Sequence, residues 1–315
     1  MDKIIQQFEV PQALAGQRLD KVAATLFTEF SRAELARWIT EGSLTKDGAA
    51  CAPKAKVHGG ELLLLEADRS VREMWDEAQS LALDVIYEDD DIIVLHKPAG
   101  LVVHPGAGNP AGTLVNGLLE HRAELRSLPR AGVVHRLDKD TSGVMVVAAS
   151  QLALRQLTQM IQDRAVERRY LALCEGRMVA GVDVDEPIGR DPHVRTRQAV
   201  REDGKPAYTE FRIVQRFRVH TLLKARLGSG RTHQIRVHLK SIGFPLVGDR
   251  RYGARGRLPP AAAPELIRTL QGFKRQALHA HELEFSHPAT QEPLHFSAPV
   301  PDDLRRLLDH LDQDA

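Results

Sequence analysis

Residues 133–147 read Val133-Val134-His135-Arg136-Leu137-Asp138-Lys139-Asp140-Thr141-Ser142-Gly143-Val144-Met145-Val146-Val147. The β-branched apolar runs Val133-Val134 and Val144 to Val147 have the pattern of strands buried on both faces. Between them lie turn-forming polar residues, closed by Gly143. A charged loop carrying Arg136, Asp138 and Asp140 is costly to set between core strands. Loops held on a rigid scaffold are where chemistry concentrates.

The rest of the chain bounds what that loop can belong to. At 315 residues two domains are expected, the larger with a sizeable core. Cys51 and Cys174 are far apart and in no metal or redox spacing, which points to a reducing compartment without disulfides. The opening Met1-Asp2-Lys3-Ile4-Ile5-Gln6-Gln7 has no signal-peptide core, and no apolar run is long enough to span a membrane. A cytoplasmic protein is expected. The net charge of +1 conceals an uneven distribution: residues 161–257 hold 21 Lys or Arg against 11 Asp or Glu, and the remainder 22 against 31. A basic middle is the electrostatic footprint of a polyanion binder.

Residues 1–17 form a polar lead-in. Leu19, Val22, Ala23 and Leu26 then recur at helical spacing, with Asp20 a first-turn charge suited to the helix dipole. Ser31 and Glu34 are spaced as a capping box for a second helix, whose inner face is Leu35, Trp38 and Ile39 and whose stop is Gly42. Short strands follow at Ser43 to Thr45 and Glu61 to Leu65. Residues 67–82, rich in Glu, Asp, Arg and Ser, read as a linker. Beyond it, Leu83 to Tyr87 and Ile92 to Leu95 are strand-like, Gly112 to Leu119 and Leu152 to Gln162 helical, Arg168 to Cys174 and Phe211 to Arg226 strand-like again, and Glu186 to Arg201 a basic loop. Thr232 can cap a helix with Ile235, Leu239 and Ile242 as its core stripe. His233, Arg236 and Lys240 then share a basic face.

Several of these stretches resemble one family. His135-Arg136-Leu137-Asp138 followed by Lys139-Asp140-Thr141-Ser142-Gly143 is similar to the signature of the RluA-type pseudouridine synthases. His96 to Pro105 (with His96 where Asn is usual), Gly228 to Lys240 (with Ser229 where Thr is commoner), Gly248 to Gly253 and Gln276 to Ala280 match the family order. The helix, helix, short-strand opening, with Arg18-Leu19-Asp20, Ser31-Arg32 and Gly42-Ser43-Leu44, resembles an S4 RNA-binding module. The combination is most similar to the RluD branch, which carries an S4 domain and modifies large-subunit (23S) ribosomal RNA.

The resemblance implies an α+β fold. A mixed, mostly antiparallel sheet with flanking helices would occupy residues 83–315, and a small S4-like domain residues 18–66. It implies isomerisation of uridine to pseudouridine, at several uridines of a ribosomal stem-loop, without cofactor or metal, by a monomer acting on RNA or on an assembling large subunit. Asp138 would be the catalytic carboxylate, attacking C1′ as nucleophile or removing a C2′ proton. Tyr170 would stack on the uracil and assist removal of its C5 proton, Arg236 would partner Asp138, and Arg136 would help hold the RNA open. Arg231 and His233 in the third motif, and Arg18, Arg32, Arg37 and Lys46 of the S4-like part, would contact RNA. Burial of an acid against a base favours its neutral form, so an adjacent guanidinium is needed.

Competing chemistries fit less well. Asp138, Asp140 and Gly143 mimic the start of a calcium loop, but position twelve is Ala149. His279 and His281 lack further zinc ligands, and His233 and His238 are wrongly spaced for a metalloprotease helix. A catalytically idle RNA-binding or assembly factor, a transfer-RNA pseudouridine synthase and an RNA glycosidase are the rival readings.

Overall fold

The computed structural model describes residues 3–28, 30, 32–68, 77–106, 108–194, 196–253 and 256–314, and the chain divides into units at residues 1–73 and 74–315. In the first unit, strand β1 (Lys3–Glu9) pairs antiparallel with β3 (Leu62–Asp68), which also pairs with β2 (Leu44–Lys46). Helices α1 (Leu19–Leu26) and α2 (Arg32–Glu41) supply Leu19, Val22, Ala23, Leu35, Trp38 and Ile39 to a core closed by Leu44, Leu63 and Leu65. The helices and their inner faces thus follow the sequence pattern. The opening residues do not form a lead-in: their alternation satisfies the outer edge of β3. The expected Ser31 cap lies outside the described residues.

The second unit is built on a nine-stranded sheet. Its strands are β4 (Asp84–Glu88), β5 (Ile92–Lys97), β6 (Ser142–Ala148), β7 (Glu167–Glu175), β8 (Val182–Asp185), β11 (Tyr208–Arg216), β12 (His220–Leu227), β13 (Leu278–Ser286) and β14 (Pro293–Ser297). Their order is β4-β5-β6-β13-β7-β12-β11-β8, with β14 beside β13; every pairing is antiparallel except β6 with β13. The basic segment expected to be a loop contains a two-stranded ribbon, β9 (Ile188–Arg190) with β10 (Gln198–Val200). Helices α3 (Leu114–His121), α4 (Gln151–Gln162), α5 (Gln234–Ser241), α6 (Pro264–Gly272) and α7 (Asp302–Gln313) cover the sheet.

Strand β6 shows why its sequence is so apolar. Met145 and Val147 enter a core shared with Leu114 and Leu118 of α3 and with Ile235 and Leu239 of α5. Val144, Val146 and Ala148 enter another, under Ala153 and Leu157 of α4. Both faces are covered, so every residue of β6 is buried, each large apolar one contributing about 1.5–3 kcal/mol. Val133-Val134 is not a strand: Val133 makes one isolated antiparallel bridge, to Val147. The chain turns left-handed just before it, at Arg130 and Ala131.

One row of residues crosses six strands: Lys97, Gly143, Ala280, Tyr170, Ala225 and Phe211 are successive cross-strand partners. Gly143 has φ 130°, and a Cβ there would lie 2.1 Å from the carbonyl oxygen of Ala280. Only glycine lets the parallel strands meet at this point. The row fixes Tyr170 two strands from the start of β6, where the charged loop ends.

Residues 77–82, expected within the linker, lie on the second unit: Gln79 N donates to the carbonyl of Asn116 at 3.0 Å, and Leu81 packs at Gly117 beside Leu83. Among the described residues no helix is long and apolar enough to cross a membrane.

Candidate active site

The loop between Val133 and β6 is pinned from below. Lys97, the last residue of β5, is fully buried and donates to the carbonyls of Pro98, Leu101 and Lys139 at 2.8, 2.9 and 3.0 Å. Three acceptors match the three protons of an ammonium. Burial pushes this lysine down to about 7, with Asp140 and Asp138 opposing and Arg275 adding to the shift. Further along, Gln276 donates to Thr141 Oγ1 at 3.0 Å, and Ser142 Oγ bonds His279 Nδ1 at 3.0 Å. His279 spends Nε2–H on the carbonyl of Ala298 and so accepts from Ser142.

Asp138 emerges from this frame with 19 % of its side chain exposed, and Arg236 Nη1 donates to its Oδ2 at 2.7 Å. Arg236 comes from α5, whose first turn is set by a chain of polar contacts. Ser229 Oγ accepts from Tyr208 N and donates to Gln234 Oε1, and Gln234 Nε2 donates to Tyr208 O and Thr209 Oγ1. The residue at the N-cap is His233, in a left-handed conformation, and not the expected Thr232; backbone and Gln234 contacts hold the helix start instead.

The rest of Arg236 is taken by Asp249, which receives Nε at 2.7 Å and Nη2 at 2.9 Å. Its side chain is fully enclosed and also accepts from the backbone N–H of Arg251 and Tyr252. Burial opposes both charges, but the pairing outweighs it: Asp249 is held below the usual carboxylate range, and Arg236 above its ordinary value by Asp249 first and Asp138 second. The guanidinium also lies 4.9 Å above the ring of Tyr252.

Tyr252 fixes a further group. Its hydroxyl accepts from Gln198 N at 2.8 Å and meets His233 Nδ1 at 2.7 Å. In the tautomer with its proton on Nε2, His233 accepts from this hydroxyl at Nδ1 and directs its N–H toward Asp138 Oδ1, 3.9 Å away. Burial drives His233 down to about 4, against the pull of Asp138, so the ring is neutral at pH 7.

Tyr170 stands in the same wall, 6 % exposed. Burial raises its phenol, Asp138 adds to the rise and Arg168 opposes it. Asp138, Arg236 and His233 are thus brought together with Tyr170 in electrostatic reach. Arg136 lies exposed on the loop, beside His104 and with no bond to a described residue. Arg231 is exposed, its Nε donating to Pro206 O at 3.1 Å. His233, expected among the RNA contacts, lines the site, its Nε2 3.9 Å from Asp138 Oδ1.

In the first unit, Arg18 and Arg32 both bond Asp20, at 2.7 and 3.0 Å to Oδ2, while leaving about half of each arginine side chain exposed. Asp20 is consequently a buried clamp on two arginines and more than a first-turn charge. Lys46 bonds Glu61 at 2.8 Å, and Arg37 has an enclosed Nε without a partner. His96, where the family has Asn, bonds Asp84 at 3.0 Å at the edge of the sheet.

Sequence reasoning named the loop around Lys97 and the Gly248 to Gly253 stretch but gave Lys97, Asp249 and Tyr252 no task. Their partners are carbonyls or residues 13 to 54 positions away, so no local spacing announces them. Among the described residues Glu282, Glu284 and His295 are close enough for a cation, but Arg169 and Lys224 already bond both carboxylates.

The profile of the RNA pseudouridylate synthase family matches residues 91–241, which contain Asp138, Tyr170 and Arg236. The chain is 50 % identical to ribosomal large subunit pseudouridine synthase D of Xanthomonas campestris pv. campestris, over all of this chain and 95 % of the relative. It is equally identical to the protein of that name from Pseudomonas aeruginosa, over 99 % of this chain and 98 % of the relative. The solved structure of human RNA pseudouridylate synthase domain containing 4 superposes with a TM-score of 0.56 at 25 % identity, covering 73 % of this chain and 93 % of that one.

Proposed function

The chain belongs to the RNA pseudouridylate synthase family, and from that premise we propose that it isomerises uridines of large-subunit ribosomal RNA, with Asp138 as the reacting carboxylate. Support for the enzyme over an idle binder comes from one observation: Asp138 is partly open in front and held from behind by Arg236 at 2.7 Å. A structural ion pair does not need an opening, and Arg236 already has Asp249 as a complete partner.

In the reaction the bond between uracil N1 and ribose C1′ breaks, the base turns, C5 bonds to C1′ and loses its proton, and N1 takes up a proton, so that product and substrate are isomers. Asp138 either takes C1′ as a covalent ester or removes the C2′ proton to leave a glycal. Arg236 keeps the carboxylate directed and offsets the cost of covering it with substrate. Tyr170, whose phenol burial keeps protonated, offers a ring face to the extruded uracil and not a resting base. Arg136 is free to occupy the gap that the flipped nucleotide leaves.

In the N-terminal unit, Arg18, Arg32, Arg37 and Lys46 would add phosphate contacts of the S4 type, with Asp20 presenting two of them. The sequence-independent part of RNA binding then depends steeply on salt.

The test is a pseudouridine map of ribosomal and transfer RNA from cells whose only copy carries Asp138→Asn. Loss confined to large-subunit ribosomal RNA is expected. An unchanged map would remove the assignment, and loss confined to transfer RNA would redirect it. Release of free uracil by the wild type would instead mark a glycosidase.

A further inference from the structure

Arg168 precedes Tyr170 by two residues on β7, so the two side chains leave the same face of the sheet. It is only 6 % exposed, yet its Nε is enclosed without a hydrogen-bond partner, and no described carboxylate lies within ion-pairing distance. Its neighbour Arg169, on the opposite face, bonds Glu282 and Glu284. The contrast shows that this strand does not lack acids; they are all on the other side.

The guanidinium lies against the turn that leads into α5, where Nη1 is 3.0 Å from the position of a Cβ on Gly230. A side chain at residue 230 would crowd it. On its other sides are Tyr170 and His135, both of which feel its charge, and His135 is neutral because burial drives it down to about 3. Among the described residues no carboxylate bonds this guanidinium, so its positive charge is set into the wall of the site without an ion-pair partner. Burying an uncompensated charge is costly, and an oxyanion arriving with the substrate is what offsets it.

We propose that Arg168 binds a backbone phosphate flanking the target uridine, holding that nucleotide beside Tyr170 while its base and sugar face Asp138. A phosphate suits the guanidinium because it accepts two parallel N–H bonds and carries the missing charge. Uracil carbonyls could accept the same protons but would leave the charge uncompensated. The proposal rests on the RNA-substrate reading above and adds a contact to it.

The experiment uses synthetic stem-loops of large-subunit ribosomal RNA labelled with tritium at uracil C5. In separate RNAs the phosphate on either side of the target uridine is replaced by a neutral methylphosphonate. With the wild-type protein, kcat/KM for one of the two RNAs is expected to fall about 10- to 100-fold. R168M should show the same loss on unmodified RNA and no further loss with the neutral linkage, whereas R168K should keep part of the sensitivity. Equal turnover of all three RNAs by the wild type would overturn the proposal without any variant, and so would undiminished sensitivity in R168M. Absence of tritium release from every ribosomal RNA would remove the substrate reading and this contact with it.

Discussion

Asp249 holds Arg236 through Nε and Nη2, at 2.7 and 2.9 Å, and leaves only Nη1 for the carboxylate of Asp138. The arginine is therefore positioned from behind before substrate arrives, and its interaction with Asp138 has one geometry. Asp249→Ala would leave a buried guanidinium with a single partly exposed partner, a loss of roughly 3–5 kcal/mol in urea denaturation. Asp249→Asn, which can still accept the backbone bonds of Arg251 and Tyr252, should lose less stability while kcat falls more than KM changes. An Asp249→Ala protein with wild-type stability and turnover would contradict this placement of Arg236.

Tyr252→Phe keeps the ring under Arg236 but removes the hydroxyl shared by Gln198 and His233. Two polar groups lose their partner, at about 1–2 kcal/mol in total. The proton on His233 is then no longer confined to Nε2. Single-turnover tritium release should slow by about 10-fold with little change in RNA affinity. Nitrogen chemical shifts of labelled histidine provide the direct check: a protonated Nε2 in the wild type and a tautomer mixture in the variant.

How far these relationships could be read from the chain depends on where each partner lies. The sheet, the helices and the charged loop follow from local patterns: β6 is apolar at every position because both its faces are covered. Asp138, Tyr170 and Arg236 each sit within a recognisable short motif. The support behind them does not. Asp249 reaches back 13 residues to Arg236, and Lys97 acts on carbonyls, which have no side-chain identity to recognise. Val133 looked like a strand because the left-handed turn before it is made by Arg130 and Ala131, residues that do not advertise such a conformation. Arg168 carried no warning of its burial, since charge on a half-buried strand is ordinarily solvated.

Acid should weaken this fold before its carboxylates titrate. Burial lowers His220, His233 and His279 to about 4 from an ordinary 6.5. The unfolded chain takes up those protons below pH 6.5, and the folded chain only near 4. Their contribution to stability is thus complete above 6.5 and is lost as the pH falls toward 4. Between pH 6.5 and 5 unfolded carboxylates are still largely ionised, so the slope there reports histidine. Urea midpoints should fall across that window, and His279→Gln should reduce the slope by up to one proton, about 1.4 kcal/mol per pH unit. A flat stability profile from pH 7 to 5 would show that these rings are not buried neutral.

Lys97 tests whether the loop is held from beneath or merely by its own turns. Its ammonium joins the segment after β5 to the carbonyl of Lys139, one residue beyond Asp138. Lys97→Met fills similar volume but leaves three buried carbonyls without that donor, at about 1–3 kcal/mol each, partly offset by removal of a buried charge. A net loss of roughly 2–4 kcal/mol is expected. The decisive readout is functional: Lys97 touches no substrate atom, yet freeing the loop should lower kcat at least about 10-fold through misplacement of Asp138. RNA affinity should hold, because the exposed arginines are untouched. If Lys97→Met lost stability but kept wild-type kcat, the remaining bonds, among them Gly100 N to the Lys139 carbonyl, Gln276 to Thr141 and Ser142 to His279, would suffice to set the loop, and the lysine would serve only the packing of the sheet.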